Sequence, residues 1–528
     1  WFFYSFTKNG KIILMLDFLN LITKNYFLKQ KLKIEPVNSP ERRLTDNWHG
    51  NEIKGQKIIS GNINPRQMHD FNKFKFLRDL KSDGSIKARS IARSLVDEWI
   101  DQDINLRSEA FNSGTMAERI SCWCFNYSWF VESGELKFQK KVLNSIAMQA
   151  KFLELKLEET HSPLNKIIII KGILIAKSIL YKDINNVHKM LELVYEAVDT
   201  LIDPDGGHKS RSPAKQLILL RHLVEIRSVI AILENIDAEY LHNLTIKMGE
   251  FCRSFQMPNE SFAWFNGGSL IEKNLIKQTL NRIGYKSRIF NVAEESGYCR
   301  LSSNDTLIFM DIGLPQKASV DTKASLFAFE LFYKKEKIIS NLGEIYGSNV
   351  KSMNNSLAST AAHSTLNIDD RNNVDLTGKR KIEILNSKYQ KTKEGSIINV
   401  MHSGYGAIYG VNHHRQIYLP RNDNEIRGKD EIISIGNVGT IPKNAYIRFH
   451  ICPNIELIKT RNGSILLKHS KGFVWKMTSS NQNINIQDSV MFGLNGPVPC
   501  KEIMITMRIE TIRAHNTIYC DWGFQLQN

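Results

Sequence analysis

Apolar residues recur every three or four positions from about residue 65 to 285, which is the period of helices with one buried face. The clearest example runs from 85 to 101, where Ile91, Leu95 and Trp99 share one face. The same period predicts further helices at about 115–131, 137–158, 164–181, 185–202, 212–234 and 238–256. Consecutive helices joined by short polar loops predict a bundle, a solenoid or an α/α toroid.

After about residue 290 the pattern changes to short runs of β-branched and aromatic residues separated by turns. Such runs begin at Thr306, Ser325, Lys337, Ile408, Ala445 and Ser464. This spacing predicts antiparallel sheets packed as a sandwich. The polar segment 350–380 predicts a long exposed connection. Helices followed by strands exclude a βαβ nucleotide-binding fold, and the sequence contains no glycine-rich phosphate-binding motif.

The chain of 528 residues is too long for one hydrophobic core, so several domains are expected. We predict a partly helical N-terminal extension at 1–64, a helical domain at 65–288 and a sandwich domain at 289–528. The apolar run 11–23 is interrupted by Asp17 and Asn20, which favours an amphipathic helix over a membrane span or a signal peptide. No transmembrane helix is predicted. Because the numbering opens on Trp1, the sequence leaves room for an upstream segment.

Composition adds a charge balance to this outline. Lysine and arginine number 70 against 54 acidic residues, a net charge of +16, which favours an anionic partner: nucleic acid, a membrane surface or an acidic polymer. Codon drift in an AT-rich genome, which enriches Lys, Asn and Ile, explains the same excess. Seven scattered cysteines lack disulfide or zinc spacing and are interpreted as buried thiols.

The densest candidate for chemistry in the helical half is the segment 203–213, Asp-Pro-Asp-Gly-Gly-His-Lys-Ser-Arg-Ser-Pro. It presents His208, Lys209 and Arg211 in a turn, and it enters the next helix with Ser212 as N-cap and Pro213 as first helical residue. Cations at a helix N-terminus suit a carboxylate or sulfate. A plain helix-to-helix turn is the competing interpretation.

Histidines are the candidates in the sandwich half, since imidazole is matched to proton transfer near neutral pH. His363 stands just before a predicted strand, and His402-Ser-Gly-Tyr405 and His413-His-Arg415 flank a predicted strand pair. Tyr405 becomes a proton donor or acceptor if nearby cations lower its pKa. Adjacent histidines on a strand point to opposite faces, so His413 and His414 do not predict one metal site. His450 alternates with apolar neighbours and is interpreted as structural.

A turn at Asn266-Gly-Gly268 follows the aromatic run 262–265. Its glycines let another group approach the backbone closely. Aromatic rings beside such a turn are common in sugar clefts and equally common in cores.

These motifs, in this order, resemble the heparinase II/III family of polysaccharide lyases, particularly its shorter bacterial members. The resemblance is carried by the segments 76–80, 88–100, 204–213, 265–267, 361–369, 402–405 and 413–417, which together span about residues 45 to 510. It implies an α+β chain with an incomplete α/α toroid followed by an antiparallel β-sandwich. It also implies β-elimination on a uronic-acid polysaccharide, with no cofactor; ligand spacing does not support a structural divalent metal in the sandwich domain.

The family's chemistry assigns roles to matching residues. A cation or amide neutralises the C5 carboxylate, a base removes the C5 proton and an acid protonates the departing O4. By resemblance His208 and Arg211 hold the carboxylate, His363 is the base and Tyr405 the candidate acid. Asn266 and His402 complete the expected substrate site. Lys323 stands where the family pattern has histidine; lysine keeps the charge but is a poor base unless desolvated.

Three functions therefore compete: a lyase acting on an anionic glycan, a non-catalytic glycan binder using the same cleft, and a nucleic-acid-binding protein. The third rests on net charge alone, and no recognised nucleic-acid motif supports it. The polymer substrate favours the cell envelope or periplasm, whereas the missing signal peptide and the cysteines fit the cytoplasm. The sequence makes no prediction of the oligomeric state.

Overall fold

The computed structural model describes residues 32, 34–102, 108–284, 288–315, 322–345, 351–421 and 425–527. The predicted helix at 11–23 lies outside these residues. The chain divides into two compact units, one of residues 1–200 and 221–242, the other of residues 201–220 and 243–528.

Fourteen α-helices occur within the described residues, and most coincide with the predicted ones. They are α1 Glu52–Ile59, α2 Phe76–Asp83, α3 Ile86–Asp101, α4 Ser113–Phe125, α5 Tyr127–Phe130, α6 Leu136–Glu158, α7 Pro163–Leu180, α8 Val187–Asp199, α9 Pro213–Ile230, α10 Glu239–Phe255, α11 Lys273–Asn281, α12 Lys351–Leu357, α13 Gly406–Tyr409 and α14 Ile512–His515.

Helix α3 shows how local signals in the sequence define a helix. The Ser85 hydroxyl accepts a hydrogen bond from the backbone of Ala88 at 3.1 Å, which caps the helix. Ala88, Ala92, Leu95 and Trp99 are buried at three- and four-residue spacing, as the period predicts. Local capping and burial of one face therefore specify the same element.

Seventeen strands are described: β1 Val292–Ala293, β2 Tyr298–Ser303, β3 Thr306–Asp311, β4 Phe329–Tyr333, β5 Glu336–Ser340, β6 Leu366–Ile368, β7 Ile384–Lys391, β8 Gly395–His402, β9 Val411–Pro420, β10 Glu425–Ser434, β11 Asn444–Ile451, β12 Ile455–Lys459, β13 Ile465–His469, β14 Val474–Ser479, β15 Ile484–Gly493, β16 Gly496–Arg508 and β17 Thr517–Gln527. One sheet runs β1-β2-β3-β4-β5-β11-β16-β15 with β6 beside β11, and the other β12-β13-β14-β17-β10-β9-β8-β7. All their pairings are antiparallel.

A single hydrophobic core contains residues from both sheets. Strand β3 is buried along its whole length, since Phe309 also packs against Phe255 and Phe265 on the helical side of the same unit. The predicted fold class, helices followed by an antiparallel sandwich, is confirmed. The seven cysteines are buried and unpaired, as predicted.

Two local predictions were wrong. The expected strand at 408–411 is a helical turn, α13, ended by Gly410 at φ +67°, where an added Cβ would lie 2.7 Å from the Gly436 carbonyl oxygen. The expected exposed connection at 350–380 contains helix α12 and a buried stretch from 360 to 368. Its polar side chains bond to backbone instead of water: Ser364 Oγ donates to the Ser340 carbonyl at 2.6 Å and Thr365 Oγ1 to the Leu326 carbonyl at 2.8 Å.

Candidate functional site

The loop before helix α9 folds back on itself and places His208 in its interior. Ile202 and His208 form an isolated antiparallel bridge, and Asp205 Oδ1 accepts hydrogen bonds from the Gly207 backbone at 3.0 Å and from Ser296 Oγ at 2.7 Å. His208 Nδ1 accepts a hydrogen bond from the Ser210 backbone at 3.0 Å. The neutral ring therefore carries its proton on Nε2.

Ser212 and Pro213 begin helix α9 as the sequence predicts. The Ser212 hydroxyl accepts from the Lys215 backbone at 3.4 Å, and the Ser212 carbonyl accepts from the Gln216 backbone at 3.0 Å. This cap fixes the end of the loop against the helix.

Arg211 was predicted to hold a substrate carboxylate, and the structure contradicts this role. Its guanidinium is buried, forms an ion pair with buried Asp311, and donates to the carbonyls of Ser296 at 2.9 Å, Gly297 at 2.9 Å and Gly313 at 2.6 Å. It also lies over the Tyr298 ring, 4.6 Å from the centroid. Arg211 thus ties the loop to the sheet, and the Asp311 charge holds its pKa above the ordinary value against the effect of burial.

The predicted turn at Asn266 packs beside this loop. Asn266 and Gly267 both have positive φ, +45° and +94°. Asn266 Nδ2 donates to the Tyr298 hydroxyl at 2.9 Å, which in turn donates to the Arg211 carbonyl at 2.8 Å. Burial raises the pKa of Tyr298, so the phenol stays protonated and keeps both contacts. One tyrosine hydroxyl therefore joins the two motifs.

Across this turn lies an ion pair. A Cβ atom at Gly267 would lie 3.4 Å from Ser212 Oγ and 3.5 Å from Glu344 Oε2. Glu344 Oε1 is 3.1 Å from the ammonium of Lys323, which is buried. Gly267 is required by its positive φ of +94°, and the Glu344 carboxylate beside the turn holds Lys323.

The segment that carries His363 is hydrogen-bonded to the one that carries Lys323: the Ala324 backbone donates to the Ala358 carbonyl at 2.9 Å. His363 Nδ1 is 2.8 Å from the Ser359 carbonyl oxygen, which can only accept, so Nδ1 carries the proton and Nε2 the lone pair. Burial, together with the Lys323 charge, lowers the pKa of His363 to about 4, partly offset by the Ser359 bond. At neutral pH the ring is uncharged, with Nε2 as its proton acceptor.

A second histidine supports the first. His450 Nε2 bonds to the Ala361 carbonyl at 3.0 Å, within the short 3₁₀ turn Thr360–Ala362 that leads into His363. Its Nδ1 lies 3.4 Å from Glu502 Oε2. Burial and the Arg448 and His363 charges lower the pKa of His450 to about 3. The interpretation of His450 as structural agrees with this position.

His402 and Tyr405, predicted as substrate and acid residues, are fully buried in the sandwich, and the structure contradicts both roles. The Tyr405 hydroxyl donates to the Leu366 carbonyl at 3.2 Å, and burial raises its pKa by more than the charge of Arg380 lowers it. His402 Nδ1 accepts from the Gly404 backbone at 3.0 Å and its Nε2 lies 3.2 Å from His413 Nδ1. Tyr405 thus supports strand β6, which follows His363, and His402 supports the pairing of β8 with β9.

The His402 contact belongs to a buried chain. His413 Nε2 lies 2.7 Å from Asp430 Oδ1, and Arg415 and the Trp522 indole also donate to that carboxylate. His414 points to the other face of the strand and pairs with Glu431 at 2.6 Å. The prediction that the adjacent histidines diverge is confirmed.

Within the described residues one group has the spacing for a metal, and it lies in the other unit: Glu118, His222 and Glu225. The buried ammonium of Lys171 stands among them, 2.6 Å from Glu118, 2.8 Å from Glu225 and 3.2 Å from His222 Nδ1. A divalent ion there would compete with this ammonium. The residues fit an ion-pair cluster better than a metal centre.

The structure therefore brings together His363, Lys323 and the Asn266 turn, with the His208 loop adjoining the turn. It buries His402 and Tyr405 completely within the sandwich. Sequence reasoning missed Glu344, which no motif marks; the isolated acid after the turn Asn341-Leu-Gly343 is its only signal.

Comparison with known proteins gives a family match in the C-terminal part of the chain. A family model described as "Heparinase II/III-like, C-terminal" matches residues 286–520. A curated relative, "FtsZ-localized protein C" of Caulobacter vibrioides, is 24% identical over 328 residues, 57% of this chain and 55% of that protein. The chain thus aligns with little more than half of this relative's length.

Solved structures match over nearly the whole chain. The crystal structure of heparan sulfate lyase HepC from Pedobacter heparinus has a TM-score of 0.65 at 14% identity and covers 96% of this chain and 87% of that chain. A crystal structure of heparinase III has a TM-score of 0.68 at 13% identity and covers 96% and 89%. At these identities the likeness establishes the fold.

Proposed function

Because the chain belongs to the heparinase II/III family through its C-terminal domain, we propose that it is a polysaccharide lyase acting on a uronic-acid glycan by β-elimination. The observation that carries the proposal is the position of His363: its Nδ1 lies 2.8 Å from the Ser359 carbonyl, which leaves Nε2 as the acceptor, and backbone hydrogen bonds join its segment to the one that carries Lys323. Removal of a proton from the carbon next to a carboxylate requires a base for the proton and a cation to neutralise the carboxylate.

Lys323 is the proposed partner of the substrate carboxylate. Its ammonium neutralises the charge at C6, which makes the C5 proton more acidic and stabilises the enediolate that forms when this proton leaves. Glu344 holds the ammonium at 3.1 Å and shares it with the substrate. Lys323 thus takes the role that the sequence assigned to Arg211.

His363 is the proposed base. The C5–H bond breaks and its proton goes to Nε2; the electron pair forms the C4=C5 double bond as the C4–O4 bond breaks. The imidazolium then returns its proton to O4, so that one residue serves as base and acid on the same face of the sugar. This sequence needs no tyrosine acid, consistent with the burial of Tyr405.

The low pKa of His363 fits this cycle only with substrate bound. A ring with a pKa of about 4 is a weak base, but a bound carboxylate favours the imidazolium and offsets part of the Lys323 effect. The resulting imidazolium is a strong enough acid to protonate an alkoxide leaving group. Substrate charge therefore sets the base strength when the base is needed.

The test is ultraviolet absorbance of an unsaturated uronate during incubation with a panel of uronate polysaccharides. The wild-type protein should form product, and His363→Ala and Lys323→Met should not. His414→Gln is the matched control, since His414 pairs with Glu431 and has no role in the proposed reaction. Absence of product on every substrate, or full activity of His363→Ala, contradicts the proposal.

Glycan binding without catalysis is the second candidate function. It is favoured by the commitment of Arg211 and Tyr405 to the fold, and by the relative whose printed name places it with FtsZ rather than with an enzymatic activity. It predicts salt-sensitive glycan affinity with no product. Co-sedimentation with FtsZ polymers tests whether that relative's association extends to this chain. We also propose a location at the cell envelope, because a polysaccharide partner would be found there.

A further inference from the structure

Arg415 joins the segment that carries Lys323 to the segment that carries His363. Its Nη1 donates to the Phe327 carbonyl at 2.9 Å and to the Ser364 carbonyl at 3.2 Å. Phe327 lies four positions after Lys323, and Ser364 directly follows His363. The guanidinium is fully buried, so these carbonyls depend on protein donors rather than on bulk water. One side chain thus holds two backbone segments that are distant in the sequence.

Asp430 fixes the direction of this guanidinium. Arg415 Nε lies 2.7 Å from Asp430 Oδ1 and Nη2 lies 2.9 Å from Oδ2, a bidentate pair between directly opposed positions of β9 and β10. His413 Nε2 and the Trp522 indole N–H also bond to this carboxylate, at 2.7 and 2.8 Å. A guanidinium is planar and rigid, so holding two of its nitrogens fixes where the third one points. The position of Nη1 is therefore set by β9 and β10, outside both segments.

The Phe327 end of this joint is a strained turn. Phe327 has a φ of +62°, a left-handed conformation that residues other than glycine rarely adopt. Its backbone N–H donates to the Asp311 carbonyl at 2.9 Å, its ring centroid lies 4.8 Å from that of His402, and its carbonyl accepts from Arg415. Backbone strain of this kind persists only where the surrounding contacts hold it. Loss of the Arg415 bond should therefore let the turn move, and Lys323 with it.

A threonine hydroxyl forms a second bond across the joint. Thr365 Oγ1 donates to the Leu326 carbonyl at 2.8 Å, and both residues belong to the joined segments. This bond keeps the segments in contact but does not tie them to β9, as Arg415 does. Loss of the guanidinium should therefore displace the segments without separating them.

We propose that Arg415 is a positioning residue of the proposed lyase site, which aligns Lys323 with His363 by holding the backbone of both segments on one nitrogen. The inference rests on the proposed function, because that function places these two side chains in one reaction. Arg415 itself is buried and acts through the backbone.

The test is a double-mutant cycle that follows the pKa of His363, so it does not depend on turnover. NMR titration of the ring measures the rise in this pKa on Lys323→Met, first in the wild-type protein and then in Arg415→Lys. Lysine keeps a charge for Asp430 but lacks the planar fork that reaches the carboxylate and both carbonyls together. The rise should fall to less than half of its wild-type value, because the ammonium and the ring are no longer aligned.

Arg119→Lys is the matched control. Arg119 is also fully buried and donates to two backbone carbonyls at 2.9 Å each, but it belongs to the other compact unit. Its replacement should lower stability and leave the rise in the His363 pKa unchanged, which separates positioning from general loosening. If Arg415→Lys does not fold, Arg415→Met combined with Asp430→Asn removes both charges together and enters the same cycle.

An undiminished rise in Arg415→Lys overturns the inference, and so does an equal loss of the rise in Arg119→Lys. A wild-type His363 pKa that Lys323→Met leaves unchanged also overturns it. A reduced rise in a protein that forms no product supports the positioning role and contradicts the lyase, whereas product formation with an undiminished rise contradicts the positioning role alone. Where product forms, Arg415→Lys should lower kcat by about tenfold or more and leave KM within a few-fold, and an unchanged kcat contradicts the role.

Discussion

Replacing Arg211 with methionine separates a structural role from a substrate-binding role. Methionine approximates the length of the side chain but removes every donor. Asp311 is fully buried, and its remaining partners would be Ser325 Oγ at 2.7 Å and the Gly313 backbone at 3.2 Å. The carbonyls of Ser296 and Gly297 would also lose their donor. The substitution therefore leaves an uncompensated charge in the core.

Removing one partner of a buried ion pair costs about 3–5 kcal/mol. We expect a loss of this size in the free energy of unfolding for Arg211→Met, measured by urea denaturation with tryptophan fluorescence. Arg300→Met is the control, because Arg300 donates to the carbonyls of Ser254 and Gln256 and pairs with no carboxylate among the described residues. Its loss should be smaller, about 1.5–3 kcal/mol, the value of a hydrogen bond made by a charged group.

The alternative predicts the reverse pattern. If Arg211 serves the substrate, Arg211→Met should keep the urea midpoint of the wild-type protein and lose glycan affinity. A stability loss no greater than that of Arg300→Met would refute the structural assignment. The assay thus decides between the role assigned from sequence and the role assigned from contacts.

Three further predictions concern the buried polar groups. Tyr405→Phe removes the hydroxyl bond to the Leu366 carbonyl, so it should cost about 1 kcal/mol of stability and leave turnover within a few-fold; a large fall in kcat at unchanged stability would restore Tyr405 as the acid. Lys323→Met should raise the pKa of His363, because the ammonium lowers it in the wild-type protein. NMR titration of the His363 ring measures this pKa, and an unchanged value would show that Lys323 does not act on the ring. His363 and His450 have folded pKa values of about 4 and about 3, below the unfolded value of about 6.5, so the folded state binds fewer protons. Their contribution to the free energy of unfolding is complete above pH 6.5 and falls by about 1.4 kcal/mol per pH unit for each ring on acidification. His450→Gln should therefore reduce the dependence of stability on pH, measured by urea denaturation at pH 7, 6 and 5.

The fold was predictable because its signals are local. A capped start at Ser85, an apolar face repeating every three or four residues, and Pro213 after Ser212 each specify an element within a few positions. The alternation along β9 likewise predicted that His413 and His414 face opposite sides. Such signals depend on the neighbours in the chain, which the sequence contains in full.

The site was harder, because its decisive contacts are distant in sequence. Arg211 meets Asp311 a hundred positions later, and nothing in the loop distinguishes a cation aimed at substrate from one aimed at a buried carboxylate. The burial of segment 360–368, predicted as exposed, has a related cause. Composition records that Ser364 and Thr365 are polar, but not that backbone carbonyls replace their water.

These contacts also change what the net charge of +16 means for a polyanion. The sequence suggested that a few motif cations face the glycan carboxylate, but Arg211 is paired with Asp311 and Arg415 with Asp430, while Lys323 is shared with Glu344. A buried pair presents little net charge to a ligand. For the proposed glycan, the excess positive charge would therefore act from the exposed surface, at long range and screened by salt. In the proposed reaction the substrate carboxylate would pair with the Lys323 ammonium, and the strength of that pairing would depend on how far the substrate displaces Glu344.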